Sequence, residues 1–257
     1  LLEALAFYLI FKNNRFQNTG FINSANVVSA NVLSLYSEIR EYFYLRKTNQ
    51  ILVEENALLR SQLKQSFIEK QIPLKVDTNY IQKYIYRTAK VLNNSVNKRN
   101  NFLTLDKGSL HGIEPEMGVI SPDGVVGVVK DVSENFASVM SVLNKNTVVS
   151  CKVKKNGYLG TLVWEGGDYS FGTLNDVPRH AALQKGDTII TSGASAIYPE
   201  GILVGFVDNV NLEDGDNFYS VRIRFSADYA KLTHVYVVKN LMKEEQIKLE
   251  KATLNDN

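Results

Sequence analysis

The sequence holds a single cysteine, three histidines and five prolines in 257 residues. One cysteine excludes an intramolecular disulfide and a cysteine-based zinc cluster. Its place in the strand-like run from Val149 to Val153 marks Cys151 as a buried structural thiol. Charge of one sign is also lacking: 29 Lys and Arg stand against 27 Asp and Glu, a formal net charge of +2. Without a long basic run there is no counterion-release footprint, so no nucleic-acid partner is expected. Long hydrophobic runs are missing too, and 44% hydrophobic with 22% charged residues is the balance of an ordinary folded chain. That excludes both a polytopic membrane protein and wholesale disorder.

Cofactor motifs are absent as well. There is no P-loop, dinucleotide fingerprint, HExxH pair or EF-hand loop, so neither cofactor nor metal is expected. Asp208, Asp214 and Asp216 near Gly215 read as the acidic tip of a hairpin rather than a calcium site. A serine-protease-like hydrolase would need Thr191-Ser192-Gly193-Ala194-Ser195 as its nucleophile loop and His111, His180 or His234 as base. The G-x-S-x-G elbow is missing, however, and Gly193 is more simply a turn after a strand, so no catalytic residue is assigned.

What is present divides into three regimes. Residues 1–11 read LLEALAFYLIF, interrupted only by Glu3. As a helix this run rises roughly 16 Å, about half a hydrocarbon core, and it reads as the outer part of a transmembrane helix with more residues before it. Residues 12–72 form the second regime, a helical stalk. Between about residue 18 and residue 70 there is no proline, and Gly20 is the only glycine. With Leu35, Tyr42, Asn49, Asn56 and Leu63 at heptad position a, Leu45, Leu52 and Leu59 fall at d. A period of 3.5 is the coiled-coil signal, and asparagines at successive a positions favour a parallel dimer by pairing across the seam. These eight residues are the expected oligomer interface, and Pro73 is the expected helix stop.

From residue 80 to 240 the pattern is β. Short apolar or alternating runs at 84–92, 101–105, 118–121, 125–132, 148–153, 158–164, 188–191, 202–210, 219–225 and 235–238 are separated by turns. Pro122-Asp123-Gly124 and Asn156-Gly157 carry hairpin chemistry. The stretch Asp123 to Val132 followed by Asn135-Phe136-Ala137-Ser138-Val139 resembles Glu200 to Val210 followed by Asn217-Phe218-Tyr219-Ser220-Val221. Two similar β units are therefore expected, their strand glycines suited to the tight coiling of small barrels. The fold class is mainly β: two small β-barrel domains preceded by a long α-helical coiled coil and a partial transmembrane helix. Boundaries are drawn at 73–140 for the first barrel, with 219–240 as candidates to complete it, at 141–218 for the second, and at 241–257 for a polar tail.

Lys107-Gly108-Ser109-Leu110-His111-Gly112-Ile113, then Met117-Gly118-Val119-Ile120-Ser121-Pro122-Asp123-Gly124-Val125-Val126-Gly127, resembles the signature of the rod shape-determining protein MreC family. So does Gly186-Asp187-Thr188-Ile189-Ile190-Thr191-Ser192-Gly193 with Tyr198-Pro199-Glu200-Gly201-Ile202-Leu203-Val204-Gly205. The resemblance implies one span of the cytoplasmic (inner) membrane, a periplasmic coiled coil and two barrels. It implies a non-enzymatic scaffold of the lateral cell-wall machinery, with a class B penicillin-binding transpeptidase, MreD, RodA and MreB as partners. The alternative is a periplasmic adaptor of an export pump, which inserts a two-way helical hairpin within its β region. A partner-binding face is not assigned; exposed barrel edges and the surroundings of Ile197-Tyr198 are candidates.

Overall fold

A computed structural model describes residues 2–6, 45, 47–69, 80–211 and 218–255. The chain divides into two compact units, Leu1–Leu52 and Val53–Asn257. In the first, residues 2–6 and 47–52 are helical. Leu35, Tyr42 and most of the apolar N-terminal run lie outside the described residues. No described helix is long and apolar enough to cross a membrane.

The second unit opens with the end of helix α1 (residues 47–62). The described helix ends well before the expected stop at Pro73, which itself lies outside the described residues. Ser66 ends it: the Ser66 hydroxyl donates to the Arg60 carbonyl at 2.7 Å, and its N–H donates to Leu63 O at 2.8 Å. Last-turn carbonyls are thus satisfied without a further helical turn. A 3-10 turn, Lys64–Ser66, leads into β1 (Phe67–Glu69), which pairs with β2 (Tyr80–Gln82).

Twelve further strands close into two antiparallel six-stranded barrels. The first is built from β3 (Tyr84–Asn94), β4 (Asn100–Leu105), β5 (Gly118–Ser121), β6 (Gly124–Val132), β7 (Ala137–Asn144) and β14 (His234–Asn240). The second is built from β8 (Val149–Val153), β9 (Leu159–Val163), β10 (Phe171–Pro178), β11 (Thr188–Thr191), β12 (Leu203–Asn211) and β13 (Phe218–Phe225). The second barrel is inserted between β7 and β14 of the first. The expected boundaries need correction on two counts: β7 carries the first barrel to Asn144, and Phe218–Phe225 pairs with β10 and β12, so only β14 returns to close the first barrel. Helix α2 (Lys243–Asn255) follows.

Strands β5, β6 and β14 are apolar on both faces because both are buried. Val119, Val126, Val129, Val235 and Val237 fill the first barrel. Their neighbours Ile120, Val125, Tyr236 and Val238 point outward into a core shared with the second barrel. This explains the unbroken run Gly124-Val125-Val126-Gly127-Val128-Val129, which would otherwise read as a strand without a solvent face.

The internal repeat is a repeat of geometry. β6 bulges between Val129 and Asp131, and β12 bulges between Val207 and Asn209, in each case three residues after the strand glycine. Val129 accepts from the Glu116 N–H at 2.7 Å and donates to Met117 O at 2.8 Å; Val207 accepts from the Gly186 N–H at 2.7 Å and donates to Asp187 O at 2.9 Å. Glu116 and Gly186 both have positive φ, 63° and 91°. A Cβ on Gly127 or Gly205 would stand 2.2 Å from the carbonyl oxygen of Met140 or Arg224. Only glycine permits that approach, and the paired bulges supply the sharp coiling that a six-stranded barrel needs.

Candidate interaction surfaces

The two barrels of the second unit meet through a connection that differs between the repeats. In the first barrel, β5 and β6 are joined by a tight turn in which the Ser121 hydroxyl accepts from the N–H groups of Asp123 (3.2 Å) and Gly124 (3.1 Å). In the second, Thr191 and Gly201 bracket a longer loop, tied by the Thr191 hydroxyl to Pro199 O at 2.6 Å and to the Ile202 N–H at 2.9 Å. That loop carries Tyr198 into the shared core, where its hydroxyl donates to Gly127 O at 2.5 Å. Tyr229 donates to Val125 O at 2.9 Å, and Asn240 Nδ2 to Ala196 O at 3.0 Å. Burial pushes the phenols of Tyr198 and Tyr229 well above their ordinary value.

Of the pair Ile197-Tyr198, Tyr198 is withdrawn into the core at 2% exposed, and Ile197 is half-buried against the same core. The two barrels do not offer free strand edges, because each is closed. The loop looked like an exposed apolar feature in sequence because its cover comes from strands some seventy residues earlier.

The expected oligomer-interface residues fall on exposed positions. Leu45, Leu52, Leu59 and Leu63 remain 47–52% exposed. Asn49 and Asn56 are exposed as well. Within the second unit, a different face of α1 holds the first barrel. Ala57 is buried and Val53 packs beside it. The Ser61 hydroxyl accepts from the Tyr86 N–H at 3.2 Å, and the Arg60 guanidinium lies 5.1 Å from the centroid of the Tyr236 ring. Sequence reasoning missed this contact, although Val53, Ala57, Arg60 and Ser61 fall at the i, i+4, i+7, i+8 spacing of one helical face.

The hydrolase reading finds no support in the geometry. Ser192 shares a 2.8 Å hydrogen bond with the Ser150 hydroxyl and accepts from the Ala194 N–H at 3.1 Å. His111 Nδ1 accepts from the Gly108 N–H at 3.3 Å inside its own turn, and His180 meets the Tyr158 ring edge-on at 5.0 Å. His234 begins β14. Cys151 is fully buried in the second barrel, which pushes its thiol up to about 12. Asp208 lies near Lys185 (3.4 Å) and Arg222 (3.8 Å), while Asp214, Gly215 and Asp216 lie outside the described residues. No metal-ligating cluster occurs among the described residues. The helical hairpin that an export adaptor would insert in its β region is not found there either: among the described residues, β3 to β14 are joined by turns, loops and single 3-10 turns.

A profile of the family "Rod shape-determining protein MreC, barrel core" matches residues 91–239. The cell shape-determining protein MreC of Listeria monocytogenes is 29% identical over 165 residues, covering 63% of this chain and 56% of the relative. The chain spans about half the length of curated relatives that it matches. Among solved structures, Listeria monocytogenes MreC superposes with a TM-score of 0.56 at 26% identity, covering 80% of this chain and 94% of that one. A complex of penicillin-binding protein PBP2 with Helicobacter pylori MreC gives 0.52 at 20% identity, covering 62% and 99%. The profile runs from the end of β3 into β14, over half of the sequence, and the chain belongs to the rod shape-determining protein MreC family.

Proposed function

We propose that this chain is the extracytoplasmic part of a single-pass inner-membrane scaffold that determines cell shape by organising peptidoglycan-synthesis enzymes. The observation that carries this reading is the family membership of the paired barrels, joined to the existence of a solved PBP2 complex for the Helicobacter pylori relative. A scaffold works by presenting surfaces, and nothing in the chemistry above assembles a nucleophile with a base. In this reading residues 1–11 belong to a membrane anchor, the bulk of the chain lies in the periplasm, and the stalk forms a coiled-coil dimer or higher oligomer. The heptad spacing supports that part, with Leu45, Leu59 and Leu63 among its half-exposed apolar side chains. A class B penicillin-binding transpeptidase docks on the head, with MreD, RodA and MreB completing the assembly.

Calorimetric titration of the purified chain with the extracytoplasmic domain of the organism's own class B transpeptidase tests the central claim. Saturable binding is expected, together with loss of cell shape when the protein is depleted. No heat at about 100 μM, well beyond the weakest useful affinity for a docked complex, with unaltered cells on depletion, would overturn it.

A further inference from the structure

The outer wall of the second barrel carries a row of three side chains that barrel construction does not require. β13 runs between β10 and β12, and its register sets Arg224 directly opposite Phe171 on one side and Phe206 on the other. Residues in register share a face of the sheet. Arg224 is exposed while its neighbours Ile223 and Phe225 are buried, so the row Phe171, Arg224, Phe206 lies on the solvent side. Two residues back on β13, Arg222 shares that face, its guanidinium carbon 3.9 Å from the centroid of the Phe171 ring. A guanidinium so seated stacks on the ring by its face and leaves its edge to hydrogen-bond acceptors.

Among the described residues, the cations of this wall outnumber the carboxylates paired with them. Asp208 is divided between Lys185 and Arg222 Nε at 3.4 and 3.8 Å, both loose contacts. Arg224 makes no ion pair among the described residues. Among the described residues, Lys185 and Arg222 thus share the Asp208 carboxylate, and Arg224 is left without one. Arginine beside aromatic rings is also the composition that marks the energetic centres of protein interfaces.

The geometry points to this row as a docking surface for an extended segment of a partner protein that brings a carboxylate flanked by apolar side chains. The carboxylate takes the fork of Arg224. Adjacent strands lie about 4.8 Å apart, so side chains one or two residues to either side of it reach the rings of Phe171 and Phe206. A phosphate polymer would use the arginines and leave the rings unused, which is why a protein segment fits better. The inference stands whether or not that partner is the transpeptidase.

Fluorescence anisotropy with a labelled decapeptide alternating glutamate and leucine, and with its lysine counterpart, tests it. The acidic peptide is expected to bind saturably and about tenfold tighter than the basic one, and to weaken with added salt. Arg224→Glu should lower its affinity about tenfold or more, Arg224→Lys should retain part of it, and Phe206→Ala should weaken it with the melting temperature nearly unchanged. Equal binding of the two peptides, or an Arg224→Glu variant that binds as the parent does, would overturn the assignment. So would polyphosphate that binds through the arginines while affinity for the peptide ignores Phe206→Ala, since the row would then be a patch of charge alone.

Discussion

The hydroxyl of Tyr198, in the second barrel, donates to the carbonyl oxygen of Gly127, in the first, at 2.5 Å. Two residues away on the same strand, Val125 O accepts from Tyr229 at 2.9 Å. β6 is thus held from outside by two phenols, in the stretch where its register with β5 shifts and a regular ladder cannot satisfy every carbonyl. Both rings lie in one core with residues of either barrel. For the proposed scaffold this contact matters, because it fixes the direction in which the second barrel presents its outer wall.

Tyr198→Phe should cost about 1–3 kcal/mol, the penalty for a buried carbonyl left without its donor, and Tyr198→Ala about 3–5 kcal/mol, because a cavity is added. Because the core is shared, both barrels should unfold in one transition. Urea denaturation followed by tryptophan fluorescence and by circular dichroism measures this. Trp164 lies in the second barrel's part of the shared core, so two separate transitions would show that the barrels are energetically independent.

The same phenols make stability sensitive to alkali. Burial raises Tyr198 and Tyr229 well above the ordinary 10.0, with each other's proximity a smaller cause for Tyr198. A raised folded-state value contributes stability that is complete below the unfolded value, near 10, and is lost as pH rises toward the folded one. The urea midpoint should therefore hold steady up to about pH 9.5 and fall above it. In Tyr198→Phe with Tyr229→Phe the midpoint starts lower and falls less steeply. An unaltered slope would place the alkaline sensitivity in other groups.

Cys151 should ignore aqueous thiol reagents in the native state. Its thiol is buried and raised to about 12, so almost no thiolate exists at pH 8 and none of it is accessible. Labelling by a chromogenic disulfide reagent should proceed at the unfolding rate and become immediate in denaturant. Rapid native labelling would mean that the second barrel opens locally.

Much of the head was legible because its signals are local. Pro122-Asp123-Gly124 and Asn156-Gly157 each sit between strands that pair with one another, and the repeat of Gly127 and Gly205 marks the same coiled, bulged strand twice. What escaped detection depends on contacts distant in sequence. Phe171–Pro178, which is not among the expected strands, holds Gly172, Asn175, Asp176 and Pro178; in the fold it forms a strand whose bulge takes the positive φ of Asp176, 64°. That β13 stays in the second barrel while β14 returns to the first is decided by which barrel lacks a sixth strand, and no turn signal records it. Ala57 carried no weight as a contact residue because its small side chain gains meaning only from Tyr84 and Tyr86 in the same core.

Helix α2 should contribute little to the stability of the head. Its first turn is held by the Lys243–Glu116 ion pair at 2.8 Å, with Glu116 72% exposed, and Leu249 farther along is 70% exposed. Such a pair is screened by water and salt, so removing residues 243–257 should cost no more than about 1 kcal/mol in urea denaturation. A larger loss would show that α2 docks more firmly than one ion pair and a half-buried Ile247 provide.

The proposed stalk makes the sharpest demand, because α1 must serve two partners at once. Val53, Ala57, Arg60 and Ser61 face the first barrel, whereas Leu59 and Leu63 are left half exposed. If the exposed leucines form the seam between chains, the two faces are separable by mutation. Leu52→Asp with Leu59→Asp should dissociate the oligomer, since facing carboxylates in an apolar seam are strongly disfavoured, and should leave the melting of the barrels unchanged. Ala57→Asp should do the reverse: a buried charge without a partner expels the end of the helix from the Tyr84 and Tyr86 surface and lowers head stability, while the seam leucines stay intact. Replacing Asn49 and Asn56 by leucine should raise thermal stability and broaden the stoichiometry, because asparagines at a positions discriminate against shifted registers and larger bundles. Sedimentation equilibrium and thermal melts on the same samples read both faces. A parent chain that sediments as a monomer at high micromolar concentration, or an aspartate pair that leaves the mass unaltered, would show that the exposed leucines serve a contact other than a second copy of the chain.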